Sequence, residues 1–156
     1  MMLLPREDPA DALIFRKDEI KSQPRIIDAS SPLRRSQLSG RYPEACFVNL
    51  GGDLASRLEA LASGQCDALT VAMAELKRLR LPEDPRFDCQ RLAPDEFCPA
   101  AGQGLIAFEI RRDNPLAKRL EPLIWASAQK AMDAERKLQQ LIAVDRFDVA
   151  GAYVLV

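Results

Sequence analysis

From residue 25 onward the chain alternates short apolar runs with stretches whose apolar positions recur at helical spacing. "RIIDAS", "ACFVNL" and "CDALTVAM" read as strands, and "SPLRRSQLSGRY" and "DLASRLEALASG" between them read as helices. Such a succession with short connections predicts a mostly parallel sheet flanked by helices. Ser31 is placed to cap the first helix, with Pro32 in its first turn, where a missing N–H costs nothing. Asp53 caps the second, Leu54, Leu58 and Leu61 share one face of it, and Gly64 stops it. A third short helix, "AELKRLRL", ends before Pro82.

Beyond it the pattern changes. "PEDPRFDCQRLAPDE" is polar and rich in proline, which predicts a loop over 82–99 lying outside the sheet. "GLIAFEI" reads as a buried strand introduced by the turn-forming glycines of "PAAGQG". A long helix is expected over 122–144, with Ile124, Ala128, Ala131, Leu138, Leu141 and Ile142 in one apolar stripe directed at the sheet or at a second copy. "GAYVLV" closes the chain as a strand.

Composition restricts the function classes. The 156 residues, 47% of them hydrophobic, can build a core of ordinary domain size. With 22 basic against 23 acidic residues there is no bulk positive field for nucleic acid or an anionic membrane, so any basic site is local. The four-residue apolar start of "MMLLPREDPADAL" is too short for a signal-peptide core, and no run approaches the roughly 18 apolar residues of a membrane span. A cytoplasmic location is expected. Cys46, Cys66, Cys89 and Cys98 are far apart and the chain has no histidine, so a zinc site would need all four thiols, and free thiols are the simpler expectation. Without histidine, acid-base work falls to carboxylates or lysines.

Ser30, Ser31, Arg34 and Arg35 sit where a strand feeds a helix N-terminus, and "LGGDLASR" repeats the arrangement with Gly51, Gly52 and Arg57. Free backbone N–H groups and the helix dipole favour an anion at such turns, and the planar guanidinium fork suits carboxylate or phosphate. The alternative is that these arginines form solvated ion pairs with surface acids.

Six stretches in order resemble the porphobilinogen deaminase (hydroxymethylbilane synthase) family: "REDPADAL", "ASSPLRRSQLSGRYPE", "LASRLEALASGQCDALTVAMAELKRLRL", "PAAGQGLIAFEIRRD", "DAERKL" and "AGAY". The resemblance implies a periplasmic-binding-protein-like, parallel-dominated α/β fold with a C-terminal helix and strand. On it, 1–24 corresponds to the hinge between the family's first two domains, 25–98 to a second-domain unit, 99–113 to a returning strand and 114–156 to the start of a third domain. The family condenses porphobilinogen into a linear tetrapyrrole on a dipyrromethane primer bound to a cysteine. The resemblance implies that Ser30, Ser31, Arg34, Arg35, Arg57 and Arg78 face pyrrole carboxylates, with Gln103 near the path between domains.

The departures from the family pattern fall at its chemistry. Arg146 stands at the position of the cofactor cysteine, Gly51 replaces an arginine of a carboxylate clamp, and neither Asp8 nor Asp11 corresponds to the catalytic aspartate, which lies upstream of the "REDP" segment in the family. Ungapped, "SSPLRR" aligns only Arg34 with a family arginine, whereas a one-residue shift at Pro32 aligns both Arg34 and Arg35. The expectations are therefore a tetrapyrrole-synthesis protein inactive as an isolated chain and free of the dipyrromethane, or a non-catalytic module binding a carboxylated small molecule or a partner protein. A homo-oligomer or a complementing chain is expected to cover the apolar C-terminal helix.

Overall fold

The structure, a computed structural model, describes residues 2–17, 23–80, 84–111, 113–144 and 150–155. In chain order the elements are β1 (Met2–Leu3), β2 (Asp11–Arg16), β3 (Ile26–Asp28), α1 (Pro32–Arg41), β4 (Cys46–Val48), α2 (Leu54–Ala62), β5 (Ala68–Ala72), α3 (Met73–Arg78), β6 (Phe87–Leu92), β7 (Ala107–Phe108), α4 (Ala117–Leu120), a 3-10 turn (Glu121–Leu123) and α5 (Ala126–Val144).

The main sheet has five strands in the order β4-β3-β5-β2-β6. β3 runs parallel to β4 and β5, while β2 is antiparallel to β5 and β6. Only β2 therefore opposes the common strand direction. The expected strands near 25–29, 45–50 and 67–72 do lie side by side as β3, β4 and β5.

Helices cover both faces because side chains alternate along each strand. Leu13, Phe15, Ile27 and Ala68 pack with Leu38 and Tyr42 of the α1 segment, while Ala12, Ile14, Leu69 and Val71 pack with Leu54, Leu58 and Leu61 of α2. Burying each of those leucines stabilises the fold by about 1.5–3 kcal/mol. The Ser31 hydroxyl caps α1 by accepting from the Arg34 N–H, and the Asp53 carboxylate caps α2 by accepting from the Ser56 N–H at 2.8 Å.

Four expectations are corrected. The segment over 82–99 contains β6, which pairs with β2 from Phe87 to Leu92 and so belongs to the sheet. It is an edge strand of mixed polarity, and polar residues suit an edge, so no apolar run marked it. "GLIAFEI" contributes only Ala107–Phe108, paired with Met2–Leu3 in a separate two-stranded sheet. Gly104, at φ +83°, and its neighbours are instead laid along the N-terminal segment, through Glu7 N–H to the Gly104 carbonyl at 3.0 Å and Leu4 N–H to the Ile106 carbonyl at 3.1 Å.

"GAYVL" forms no strand over 150–155. It is held by Ala152 N–H on the Pro99 carbonyl at 3.1 Å and Val154 N–H on Glu135 at 3.0 Å. The long helix begins at Ala126, because Pro122 lies in the 3-10 turn and the Trp125 N–H bonds to the Leu3 carbonyl. Its stripe divides: Ala128 and Ala131 are buried, whereas Ile124, just before the helix, and Leu138 and Leu141 within it are exposed.

The stretch 1–24, read as a hinge, contains β2, whose "ALIF" core is covered on both faces. A continuous apolar run of that kind marks an interior strand. Among the described residues, no helix is long and apolar enough to cross a membrane.

Candidate functional site

The carboxyl ends of β3, β4, β5 and β6 and the start of β2 share one edge of the sheet, and α1 and α2 begin there. Each of these helices sends one arginine back to a strand-end aspartate on its own face. From α1, Arg34 donates through Nε at 3.0 Å and Nη2 at 2.7 Å to Oδ1 of Asp11, the first residue of β2. From α2, Arg57 donates through Nε at 2.7 Å to Oδ2 of Asp28, the last residue of β3, and through Nη2 at 2.9 Å to the Thr70 carbonyl.

Both aspartates are essentially sealed from solvent, at 1% exposure for Asp11 and 0% for Asp28. A buried carboxylate without a partner is costly, so these ion pairs are obligatory features of the edge. The arginines are thus paired with acids of the chain, but with acids of the core rather than of the surface. Each guanidinium keeps Nη1 without a partner among the described residues, which leaves it one donor edge toward solvent.

Gln103 meets Arg34 at the same carboxylate: its Nε2 donates to Asp11 Oδ1 at 3.0 Å and to the Pro9 carbonyl at 2.6 Å. Arg35 Nε donates to the Ala29 carbonyl, leaving both of its terminal nitrogens without a partner among the described residues. Ser31 is engaged as the α1 cap, and Ser30 is exposed beside it. Arg78 is exposed at the end of α3, with no ion-pair partner among the described residues. Gly51 and Gly52, at φ +66° and +78°, make the turn into α2.

These residues do not form one cluster. Arg34 and Arg57 lie on opposite faces of the sheet, since Asp11 shares the parity of Leu13 and Phe15, and Asp28 that of Ile26. Asp11 is level with Ala72 of β5 and Asp28 with Leu69. With strands about 4.8 Å apart and about 3.3 Å per residue, the two aspartates stand roughly 14 Å apart. An extended ligand with several anionic groups could span that edge, whereas a single small anion could not. Arg146 lies outside the described residues.

Several residues that organise the edge were not singled out in the sequence: Asp11 as an ion-pair partner, Asp28, Arg6 and Glu135. A signal existed in "RIIDAS" and "PADALIF", where a lone acid stands at the end of an apolar strand. Glu135 of α5 is fully buried and accepts from Arg6 Nη1 and Nη2, from Gly102 N–H at 2.7 Å and from Val154 N–H at 3.0 Å. Arg6 also donates from Nε to the Gln103 carbonyl at 2.9 Å and stands over the Tyr153 ring. One carboxylate thus ties the N-terminal segment, the "PAAGQG" loop and the C-terminal segment to α5.

Residues 1–119 match the family model described as "Porphobilinogen deaminase, dipyromethane cofactor binding domain". The chain belongs to the porphobilinogen deaminase family. It is 38% identical to the porphobilinogen deaminase of Chromobacterium violaceum over 137 residues, covering 85% of this chain and 43% of that protein. It is 36% identical to that of Acidithiobacillus ferrooxidans over 154 residues (96% and 49%) and 33% identical to that of Coxiella burnetii over 154 residues (97% and 49%). The chain therefore spans less than half the length of these relatives.

Solved structures similar to it include an arginine-specific periplasmic binding protein of Salmonella typhimurium, at 13% identity over 90% of this chain and 63% of that one, with a TM-score of 0.48. A substrate-binding protein of an amino acid transporter from Streptococcus pneumoniae, bound to L-arginine, gives 15% identity, 91% and 59% coverage and a TM-score of 0.44. Likenesses this loose add nothing to the sheet order described above.

The family match overturns one expectation. A chain that matches a dipyrromethane-binding domain over 1–119 cannot be read as a protein to which that cofactor is foreign, because dipyrromethane is the group for which the matched family domain is described. The residues present fit such a group in their donor chemistry. Its carboxylate side chains call for N–H and O–H donors, and the edge offers the Nη1 groups of Arg34 and Arg57 and the terminal nitrogens of Arg35, all without a partner among the described residues, and the Ser30 hydroxyl.

Proposed function

We propose that the chain is a carboxylate-gripping unit of hydroxymethylbilane synthase type, acting in tetrapyrrole synthesis in the cytoplasm. Its ligands are pyrroles bearing acetate and propionate groups, in the primer or in porphobilinogen. The observation that carries this reading is the paired edge: two guanidiniums anchored by buried aspartates, each with Nη1 unpartnered among the described residues, and Arg35 adding charge that no acid among the described residues offsets. When bound, a dipyrromethane supplies the pyrrole end to which a further pyrrole is joined. Arg34, Arg57, Arg35, Ser30 and the backbone at the starts of α1 and α2 hold its carboxylates and orient it along the sheet edge.

The chain by itself grips rather than condenses. Asp11 and Asp28 are both neutralised by arginines, which leaves neither poised to move a proton at a pyrrole nitrogen, and there is no histidine to do so. Incubation of the purified chain with porphobilinogen tests this. No consumption is expected, and steady formation of a linear tetrapyrrole would overturn it. A complementing polypeptide, or a second copy, fits the exposed Trp125 and Leu155, which line a cleft of about 350 Å³.

A further inference from the structure

Asp11 presents a problem for an anion-binding edge, because a carboxylate under an arginine repels the ligand that the arginine attracts. An acid there is useful only if it does something that outweighs the repulsion. Three donors converge on its Oδ1, namely Arg34 Nε at 3.0 Å, Arg34 Nη2 at 2.7 Å and Gln103 Nε2 at 3.0 Å.

Gln103 is itself fixed, by its second bond to the Pro9 carbonyl at 2.6 Å and by Arg6 Nε on its own carbonyl at 2.9 Å. The loop carrying it is closed on the N-terminal segment so tightly that a Cβ at Gly104 would stand 2.5 Å from the Glu7 carbonyl oxygen. Arg34 is therefore held by a rigid acid-amide pair that consumes one edge of its guanidinium and leaves Nη1 as the donor facing outward. A long side chain whose rotamers are already fixed loses less freedom on binding.

We infer that Asp11 and Gln103 are positioning residues for Arg34, presenting its Nη1 edge to an anionic pyrrole side chain. The inference rests on the carboxylate-gripping reading above. Asp28 holds Arg57 in a similar way, but its other oxygen also accepts the Leu50 N–H at 3.2 Å, so it fastens a turn as well. Asp11 is the cleaner case.

The sign of one substitution separates positioning from simple charge. Removing the Asp11 charge strengthens anion binding if Asp11 is only a nearby charge, and weakens it if Asp11 holds Arg34 in place. The experiment is calorimetric titration of the full chain with porphobilinogen, for Asp11→Asn and Gln103→Leu, each alone and combined with Arg34→Ala. Each single variant is expected to weaken binding roughly three- to tenfold, and neither to weaken it further once Arg34 is alanine.

Unchanged or tighter binding by Asp11→Asn, with Arg34→Ala weakened, overturns the inference and leaves the carboxylate-gripping reading standing. No effect of Arg34→Ala overturns both. If Asp11→Asn fails to fold by circular dichroism, Gln103→Leu decides, since it changes no charge. An equal loss with and without Arg34, or no loss at all, contradicts a positioning role.

Discussion

The most consequential single residues are the buried acids. Glu135 has no exposure and satisfies donors from three separate segments, so Glu135→Ala leaves the Arg6 charge without its partner and two backbone N–H groups unbonded. Breaking a buried pair from one side costs about 3–5 kcal/mol, and urea unfolding of that variant should show a loss of this size. Asp8 behaves differently. The Arg91 guanidinium bonds both of its oxygens at 2.9 Å and holds its carboxyl below the usual aspartate range against the opposing effect of burial. Because the folded chain binds this proton less readily than the unfolded one, the stabilisation is present above about pH 4 and is lost as pH falls through the folded value. Arg91→Ala should therefore lower stability at neutral pH and leave it nearly unchanged well below the folded value, which flattens the acid limb of the stability-pH curve. Among the thiols, burial pushes Cys66 up to about 11, while Cys46 is exposed on the edge strand β4. Iodoacetamide near pH 8 should label Cys46 in the native chain and Cys66 only after unfolding.

At the scale of elements, the turn at Gly104 is the most exacting. Its φ of +83° and the 2.5 Å approach of a would-be Cβ to the Glu7 carbonyl oxygen leave no room for a side chain. Gly104→Ala should cost about 1–3 kcal/mol and loosen the pairing of 4–7 with 104–106, measurable as faster amide exchange at Leu4 and Glu7. The alternating core from β3 to α3 could be read from the sequence because its strands are short apolar runs and its helices carry Ser31 and Asp53 as caps. β6 could not, because an edge strand such as "FDCQRL" needs no apolar face to be stable where the ladder to β2 supplies the hydrogen bonds. The apolar "GLIAFEI" and "AYVLV" misled for the opposite reason. Their backbone bonds go to the N-terminal segment, to Pro99 and to Glu135 of α5 rather than to the five-stranded sheet. The site was legible to the same degree. Arg34, Arg57 and the two helix starts follow from local pattern, whereas the aspartates that anchor the arginines come from strands distant in sequence and are visible only once the sheet is assembled.

For the molecule as a whole, the uneven distribution of its apolar surface matters most. Trp125 is 53% exposed and Leu155 83%, while the first half of α5 is packed through Ala128 and Ala131. Without a complementing polypeptide this face predicts concentration-dependent self-association, which light scattering after size exclusion should register and Trp125→Glu should reduce. A monomer at every concentration contradicts that expectation. The central claim, that the paired carboxyl edge grips pyrrole carboxylates, is tested most directly by titrating the chain with porphobilinogen and with a pyrrole lacking carboxylates. Charge-assisted contacts to partly exposed arginines predict a dissociation constant on the order of micromolar or weaker for porphobilinogen, weakened by salt as the Debye length shrinks below about 10 Å and weakened again by Arg34→Ala and Arg57→Ala, with no measurable binding of the uncharged pyrrole. Equal binding of the two compounds, or an affinity for porphobilinogen indifferent to both arginines, would contradict the account.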